Sequence, residues 1–464
     1  MHLRFSAVSL VALVTVAACK SGGIPENEPP ATRPDKGGSG GSDSAGGTGG
    51  GTGGTGTSGA SGNGVSGGKA GTAGSGVDVS CGHPDCDGDG YATPEDCNDN
   101  DATISPDAYD FVDDKLDNDC SGQVDNPVET CEPSPALENP TGSAQEFARA
   151  MDICPQRSKN KAGAIVDPLL QFAWGKVSGP GLGQQNWTSQ TKPALQTNIV
   201  SSFGQTQPRH GLNMAGLATG RWGSKTPHSE DALDPPQYGL LDACAAIPLA
   251  AEDCAILSNG SPKGGVSVQD FAELDIWLQV PTNVKGVSFD FAFFTSEFTQ
   301  FWNAATNDAF FVLASTSKMQ GVNVAKQANN AGISVNSGFF QLCPKVAPPA
   351  LTPDKLPALA NCVGNDGDAA AGVLGSITGT WYDGGGQMPP SQTVLSVDGT
   401  KKYLYGGGTG WLSTSFSVTP GEQIMLRFMV MDTFDGLKDS SVLLDNWKWI
   451  PVPVTEPGVI RPPK

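Results

Sequence analysis

Residues 287–293 read Val-Ser-Phe-Asp-Phe-Ala-Phe. Every second side chain is large and apolar, the period of a strand that gives one face to a core. Related runs lie on both sides. Residues 274–280 (Leu-Asp-Ile-Trp-Leu-Gln-Val) precede it across a Pro-Thr-Asn turn. Residues 309–314 (Ala-Phe-Phe-Val-Leu-Ala), 423–430 (Gln-Ile-Met-Leu-Arg-Phe-Met-Val) and 441–444 (Ser-Val-Leu-Leu) follow it. Loops rich in Gly, Pro and Asn separate them. The reading is a mainly β fold, an antiparallel β-sandwich or jelly roll, over residues 161–455. A connector, residues 132–160, carries one short predicted helix. There Ser143-Ala-Gln-Glu146 forms a capping box, and Phe147, Met151 and Cys154 share a face. Residues 456–464 read as a flexible tail.

Upstream of the sandwich the chemistry changes. Residues 85–96 read Asp-Cys-Asp-Gly-Asp-Gly-Tyr-Ala-Thr-Pro-Glu-Asp. Asp85, Asp87 and Asp89 fall at positions 1, 3 and 5 of a 12-residue calcium loop, and Gly90 at the sharp turn of position 6. Tyr91 offers its carbonyl at position 7, and Asp96 closes the loop. Alternate side chains converge in such a turn, and Ca²⁺ takes six to eight oxygens. Asp in place of Glu at position 12 shortens the closing reach, so weak affinity is expected. A second stretch repeats the pattern, with Asp117, Asp119 and Ser121 alternating, Gly122 at the turn, then Gln123 and Asp125. Val128 stands where its closing carboxylate would be, so Asp99 or Asp101 would have to complete a shell. The cofactor expected is Ca²⁺, and the module spans residues 81–131.

Charge agrees. The chain carries a formal −20, and residues 85–125 hold 14 Asp or Glu against Lys115 alone, a local −13. Nucleic acid and anionic surfaces are therefore poor partners, and cations good ones. So few apolar residues lie in this window that ions and disulfides are expected to hold it.

The N-terminus reads as an export signal, residues 1–18, with His2 and Arg4 ahead of an apolar run too short to span a bilayer. Its end, Val16-Ala17-Ala18-Cys19, resembles the bacterial lipoprotein cleavage box. That resemblance implies a lipid on Cys19, and Lys20 in place of Asp implies the outer membrane. Residues 19–80 read as a linker, in which 20 of the 40 residues from 37 to 76 are Gly. Its r.m.s. span is roughly 40–45 Å, enough to hold a folded payload away from a membrane touched only by the lipid.

With Cys19 lipidated, ten of the eleven cysteines remain, an even number in an exported chain. Proximity suggests Cys131–Cys154, Cys244–Cys254 and Cys343–Cys362. Cys81, Cys86, Cys97 and Cys120 allow three connectivities.

Two family resemblances rest on these motifs. The order Asp-x-Asp-Gly-Asp-Gly-Tyr, Asp-Cys-x-Asp-x-Asp, Pro-x-Ala, Asp-Asn-Asp-Cys-x-Gly-x-x-Asp resembles the Asp-rich metal-binding repeat of bacterial surface proteins. That resemblance implies carboxylate-bound calcium and cysteine cross-links. Residues 211–220, residues 289–298 leading to Asn307-Asp308-Ala-Phe310, and residues 439–446 resemble the choice-of-anchor L domain of bacterial surface proteins. Here a single Glu297 precedes Phe298, where that family carries Glu-Glu-Tyr. This resemblance implies surface display without assigned catalysis.

Polar residues at strand ends (Glu297, Asn307, Asp308, Asp432, Asp435, Asp439, Asp445) either satisfy turn backbones or line a second calcium site, with Asp308, Asp432 and Asp445 the candidates. The mature chain holds three histidines, His83, His210 and His228, and no Gly-x-Ser-x-Gly, His-Glu-x-x-His or Walker motif. A non-enzymatic protein is expected, binding a surface protein or matrix polymer. The alternatives are a glycan-binding module, with Trp187, Trp222, Trp381 and Trp411 as stacking platforms, and a carboxylate hydrolase using Glu273 or Glu297 with Asp308.

Overall fold

The computed structural model describes residues 81–125, most of 143–174, 196–220, 249–258, 266–298, 307–340 and 406–461, with isolated positions between them. Helix α1, Ala144–Arg149, begins as its sequence dictates. The Ser143 hydroxyl accepts the Glu146 N–H at 3.3 Å, and the Glu146 carboxylate accepts the Ser143 N–H at 2.7 Å. Its apolar face buries Phe147 edge-on against Trp174, with ring centroids 5.0 Å apart. A second helix, α2, Ala251–Leu257, was not signalled by a cap residue, and Ala250 at its start offers no side-chain hydrogen bond.

Fifteen strands follow one another along the described chain. The first six are β1 Leu169–Trp174, β2 Thr197–Val200, β3 Met214–Ala218, β4 Val268–Gln279, β5 Gly286–Thr295 and β6 Ala309–Ser315. Five short ones come next: β7 Val322–Asn323, β8 Ile333–Ser334, β9 Val394–Leu395, β10 Lys401–Lys402 and β11 Gly407–Gly408. The last are β12 Leu412–Ser417, β13 Gln423–Thr433, β14 Ser440–Ile450 and β15 Gly458–Ile460.

Two antiparallel sheets form the sandwich. One runs β1-β4-β13-β6-β7 with β8 beside β6, and the other β15-β12-β5-β14-β3-β2 with β11 beside β5. The chain crosses between them at β4 to β5 to β6 and again at β12 to β13 to β14, in jelly-roll manner. Phe289, Phe291 and Phe293 of β5 point into the space between the sheets. Phe289 meets Phe428 of β13 at 5.4 Å, and Phe291 meets Phe310 of β6 at 5.1 Å. Each fully buried side chain of this size stabilises the fold by about 1.5–3 kcal/mol.

The other face of β5 departs from the simple alternation. Asp290, Ala292 and Phe294 are buried too. Ala292 and Phe294 belong to a second apolar cluster with Phe203, Met214, Trp222 and Tyr382. Trp222 lies so close to β3 that a Cβ on Gly216 would stand 2.3 Å from its ring, so glycine is required there. Trp222 is therefore a packing residue and no stacking platform. Trp187 and Trp381 lie outside the described residues. Trp411 packs against the same cluster and donates its indole N–H to the Gln207 carbonyl.

The C-terminus also differs from expectation. Within the supposed tail, Gly458–Ile460 pairs with Ser413–Ser415 of β12, and Arg461 donates to the Thr409 carbonyl at 2.8 Å. An edge strand of three residues carries too little periodicity to be read from sequence. The stretches 211–220, 289–298 and 439–446 contribute to β3, β5 and β14, which lie side by side with β14 in the centre.

Four disulfides join Cys81 to Cys86, Cys97 to Cys120, Cys131 to Cys154 and Cys244 to Cys254. The first two resolve the connectivity that the sequence left open. Cys343 and Cys362 lie outside the described residues.

Candidate metal centre

Residues 85–99 fold around their own carboxylates. Asp85 accepts the Gly88 and Gly90 N–H groups at 2.7 and 3.0 Å, Asp87 accepts that of Asp89 at 3.1 Å, and Asp89 that of Tyr91 at 2.8 Å. Gly90 sits at φ +99°, a left-handed backbone that glycine adopts without penalty. Asp96 accepts the Asn98 N–H at 2.8 Å, and Asp99 reaches back to accept that of Cys86 at 3.0 Å. Asp85 uses both oxygens in these bonds, whereas Asp87, Asp89, Asp96 and Asp99 each use one, which fixes where the other points.

The outcome is a converging set of oxygens. Ligand atoms of Asp85, Asp87 and Asp99 lie within 4.8 Å of one another, as do those of Asp87, Asp89 and Asp96. One oxygen each of Asp87, Asp89, Asp96 and Asp99 is buried with no hydrogen-bond partner. A buried unpartnered carboxylate oxygen costs on the order of 1–3 kcal/mol or more, so four in one place call for a cation. The electrostatics agree. Burial, with Asp89, Asp87 and Asp99 adding repulsion, pushes Asp96 up to about 6. Burial also raises Asp89, with Asp87 and Asp85 contributing. A third grouping, Asp96 with Cys97 and Cys120, cannot offer thiolates because those cysteines are bonded to each other.

The second loop shares the scaffold. Asp117 accepts the Ser121 and Gly122 N–H groups at 3.0 and 2.9 Å, as Asp85 does in the first loop. Asp119 accepts the Ser121 N–H at 3.1 Å, and Gly122 sits at φ +87°. Asp119 is pushed up to about 6 by burial, with Asp110 contributing repulsion. Gln123 is exposed, and Asp125 accepts the Lys115 N–H at 2.9 Å. No trio of metal-ligating atoms assembles here among the described residues. Asp99 is drawn into the first loop instead of the second. Asp101 joins neither, accepting the Thr103 N–H and hydroxyl at 3.1 and 2.7 Å in an exposed turn.

The sandwich grouping Asp308, Asp432 and Asp445 is not brought together. Asp308 accepts the Ser440 hydroxyl at 2.6 Å and the Thr433 N–H at 3.3 Å, at one end of β13 and β14. Asp445 lies five residues farther along β14, roughly 16 Å at strand rise, and pairs across the sheet with Asp290. There Asp445 accepts the Arg209 N–H at 2.5 Å, and Asp290 accepts the Arg209 side chain at 3.0 Å and that of Asn446 at 2.7 Å. Burial pushes Asp445 up to about 8, with Asp152 adding repulsion. Asn307 likewise serves the backbone, donating to the Ile256 carbonyl and accepting from Asn336. Glu273 is held with Asp275 by Arg427, and Asp435 lies outside the described residues.

Sequence reading missed how the module is seated. Asn283, in the Pro-Thr-Asn turn before β5, accepts the Tyr109 N–H and donates to the Tyr109 carbonyl, both at 2.8 Å. Thr282 donates its N–H to the Asp107 carbonyl at 3.3 Å. Tyr109 and Phe111, in edge contact at 5.1 Å, pack against the sandwich core. Two aromatics just ahead of the Asp113-Asp114 pair, in a window otherwise nearly free of them, were the available signal.

The family Cu-binding_MopE, described as a "Putative metal-binding motif", matches residues 96–126. No curated protein and no solved structure matches the chain. The chain thus carries a metal-binding motif whose matched stretch begins at Asp96 and includes the second loop, while the densest carboxylate cluster extends upstream to Asp85. The family name speaks of copper, but the clustered donors are carboxylate oxygens, a set that suits hard divalent ions.

Proposed function

We propose that the chain is an exported, lipid-anchored surface protein in which calcium braces the acidic module against a non-catalytic β-sandwich that binds a partner surface. The observation that carries the metal half is the four unpartnered carboxylate oxygens of Asp87, Asp89, Asp96 and Asp99. Calcium is favoured over copper because those donors are hard oxygens and the cysteines nearby are spent in disulfides. The site is scaffolding, since residues 81–125 hold no helix pair to open or close. The display half is supported by the export signal, Cys19 and the Gly-rich linker, together with the resemblance to the choice-of-anchor L domain. A lipid on Cys19 would tie the chain to a membrane, and Lys20 in place of Asp favours the outer one. The linker would leave the sandwich free to meet a protein, matrix polymer or glycan, with nucleic acid disfavoured by the −20 charge.

Chelation tests the metal half. Removing Ca²⁺ is expected to open residues 81–131 to protease while fragments covering 266–450 persist. Equal protease resistance with and without chelator would refute it. Mass spectrometry of the mature N-terminus tests the anchor, and an unmodified N-terminus at any other residue would overturn it.

A further inference from the structure

Where the module meets the sandwich, a cleft of about 450 Å³ opens. Tyr109 and Phe111 on the module side and Pro155, Trp449 and Pro451 on the other give it apolar surface, while Asp110, Asp113, Asp114, Asp119 and Lys448 add charge. Its volume falls within the range of small-molecule sites. Two local departures from regular backbone shape it. Asp152, at φ +69°, ends the turn after α1, and Asn446, at φ +58°, marks the bulge where β14 slips its register against β5. Bulges of this kind re-aim side chains. The Trp447 N–H then bonds the Met151 carbonyl at 3.0 Å, tying the two segments together.

Three side chains lining this cleft hold polar atoms that make no hydrogen bond. Both carboxylate oxygens of Asp152, the indole N–H of Trp447 and the amide nitrogen of Gln156 are buried without a hydrogen bond. Asp152 is 6% exposed and Trp447 5%. His210 Nδ1 stands 3.0 Å from Asp152 without hydrogen-bond alignment. The Gln156 amide is oriented by Ser158, whose hydroxyl donates to its oxygen at 3.4 Å, leaving the nitrogen turned elsewhere. Buried polar groups are nearly always satisfied, and leaving several open in one concave site marks a place for a ligand.

The inventory selects the ligand. An organic cation would answer Asp152 and the other carboxylates at the cleft, Asp110, Asp113, Asp114 and Asp119, but would leave the Trp447 and Gln156 donors unsatisfied. An anion would answer the donors and be repelled by Asp152. A hydroxyl both donates and accepts, so neighbouring hydroxyls on one ring can satisfy the carboxylate and both N–H groups together. Apolar and aromatic walls suit the C–H faces of such a ring. We propose that this cleft binds a neutral saccharide, with Asp152 accepting from its hydroxyls and Trp447 and Gln156 donating to them. Exposed Asp113 and Asp114 at the cleft select against uronic and sialic acids. The proposal deepens the binding role proposed above by naming a ligand class, and it does not depend on which metal fills the module.

The test is a titration of the full chain in saturating Ca²⁺, followed by tryptophan fluorescence, with glucose, galactose, N-acetylglucosamine, glucuronic acid and propylamine. At least one neutral sugar is expected to bind saturably, with glucuronic acid and propylamine inert. Trp447→Phe and Asp152→Asn are each expected to weaken that binding roughly tenfold, the loss of one hydrogen bond. An array of oligosaccharides separates free sugar from a chain end, since tighter binding to the oligomer identifies a polymer terminus. Should a variant fail to fold, a crystal of the unaltered protein soaked in the best sugar decides. Hydroxyls on Asp152 and Trp447 support the proposal. Ordered water alone at those atoms, binding of propylamine alone, or no sugar binding by a chain that takes up Ca²⁺ overturns it while leaving the metal reading intact.

Discussion

In the sandwich, Phe289, Phe291, Phe293, Phe310 and Phe428 are fully buried between two sheets. In the module, the buried apolar residues of 81–125 are Tyr91, Ile104, Pro106 and Ala108, beside buried Asp96, Asp99, Asp110 and Asp119. One region excludes water with hydrocarbon; the other brings charges together across two disulfides. With the metal proposed above, stability in the module would follow the concentration of a ligand, because an ion that binds only the folded loop stabilises it by mass action. The two are joined at Tyr109 and Asn283, whose two hydrogen bonds tie the module to the turn that leads into β5.

Separate responses are the consequence to test. The largest effect is expected from Phe291→Ala, which empties a site between Phe310 and the neighbouring strands and costs about 3–5 kcal/mol. Thermal melting should show the sandwich transition falling while Ca²⁺ uptake at low temperature is unchanged. A parallel loss of Ca²⁺ uptake would mean that the regions are one cooperative unit. Asn283→Ala comes next. It strands the Tyr109 N–H and carbonyl at the joint and is expected to cost about 1–3 kcal/mol. Hydrogen exchange should quicken around residues 107–111 and leave β13 protected; unchanged exchange at Tyr109 would deny the joint its role.

The mildest variant, Glu273→Gln, removes a pH dependence rather than a contact. Burial, and then Asp275, push Glu273 up to about 8 against the pull of Arg427. A carboxyl raised above its unfolded value favours the folded state when protonated. Its contribution is therefore full below about 4.5 and lost as pH rises through about 8. Glu273→Gln keeps the neutral form at every pH, so the decline in melting temperature between those limits should flatten. A decline of the same slope in the variant would assign the effect elsewhere.

The two regions also differ in how much their sequence discloses. The ligands of the first loop are legible because a tight turn gathers residues two apart, and Asp85, Asp87, Asp89 and Asp96 fall together by local geometry alone. Asp99 enters through a hydrogen bond to Cys86, which spacing does not encode. In the sandwich, the alternation at 287–293 identifies a strand and its inner face. It does not reveal that Ala292 and Phe294 are covered on the other side by Phe203, Trp222 and Tyr382, residues 70 or more positions away, or that Asp290 is bonded there by Arg209 and Asn446. Strand β15 escaped for the same reason, since its pairing with β12 is a long-range fact. Asp308, Asp432 and Asp445 look equivalent as acids at strand ends, yet the register of β14 sets Asp445 apart from the other two.

The central claim is that oxygen ligands of the first loop hold a hard divalent ion. Calorimetric titration of the full chain with Ca²⁺, and separately with Cu²⁺, tests it most directly. Uptake of Ca²⁺ with a Kd near 10⁻⁴–10⁻³ M, about that of extracellular calcium modules, is expected, and Asp87→Ala should abolish it. No Ca²⁺ uptake, or metal uptake indifferent to Asp87→Ala, would contradict the account.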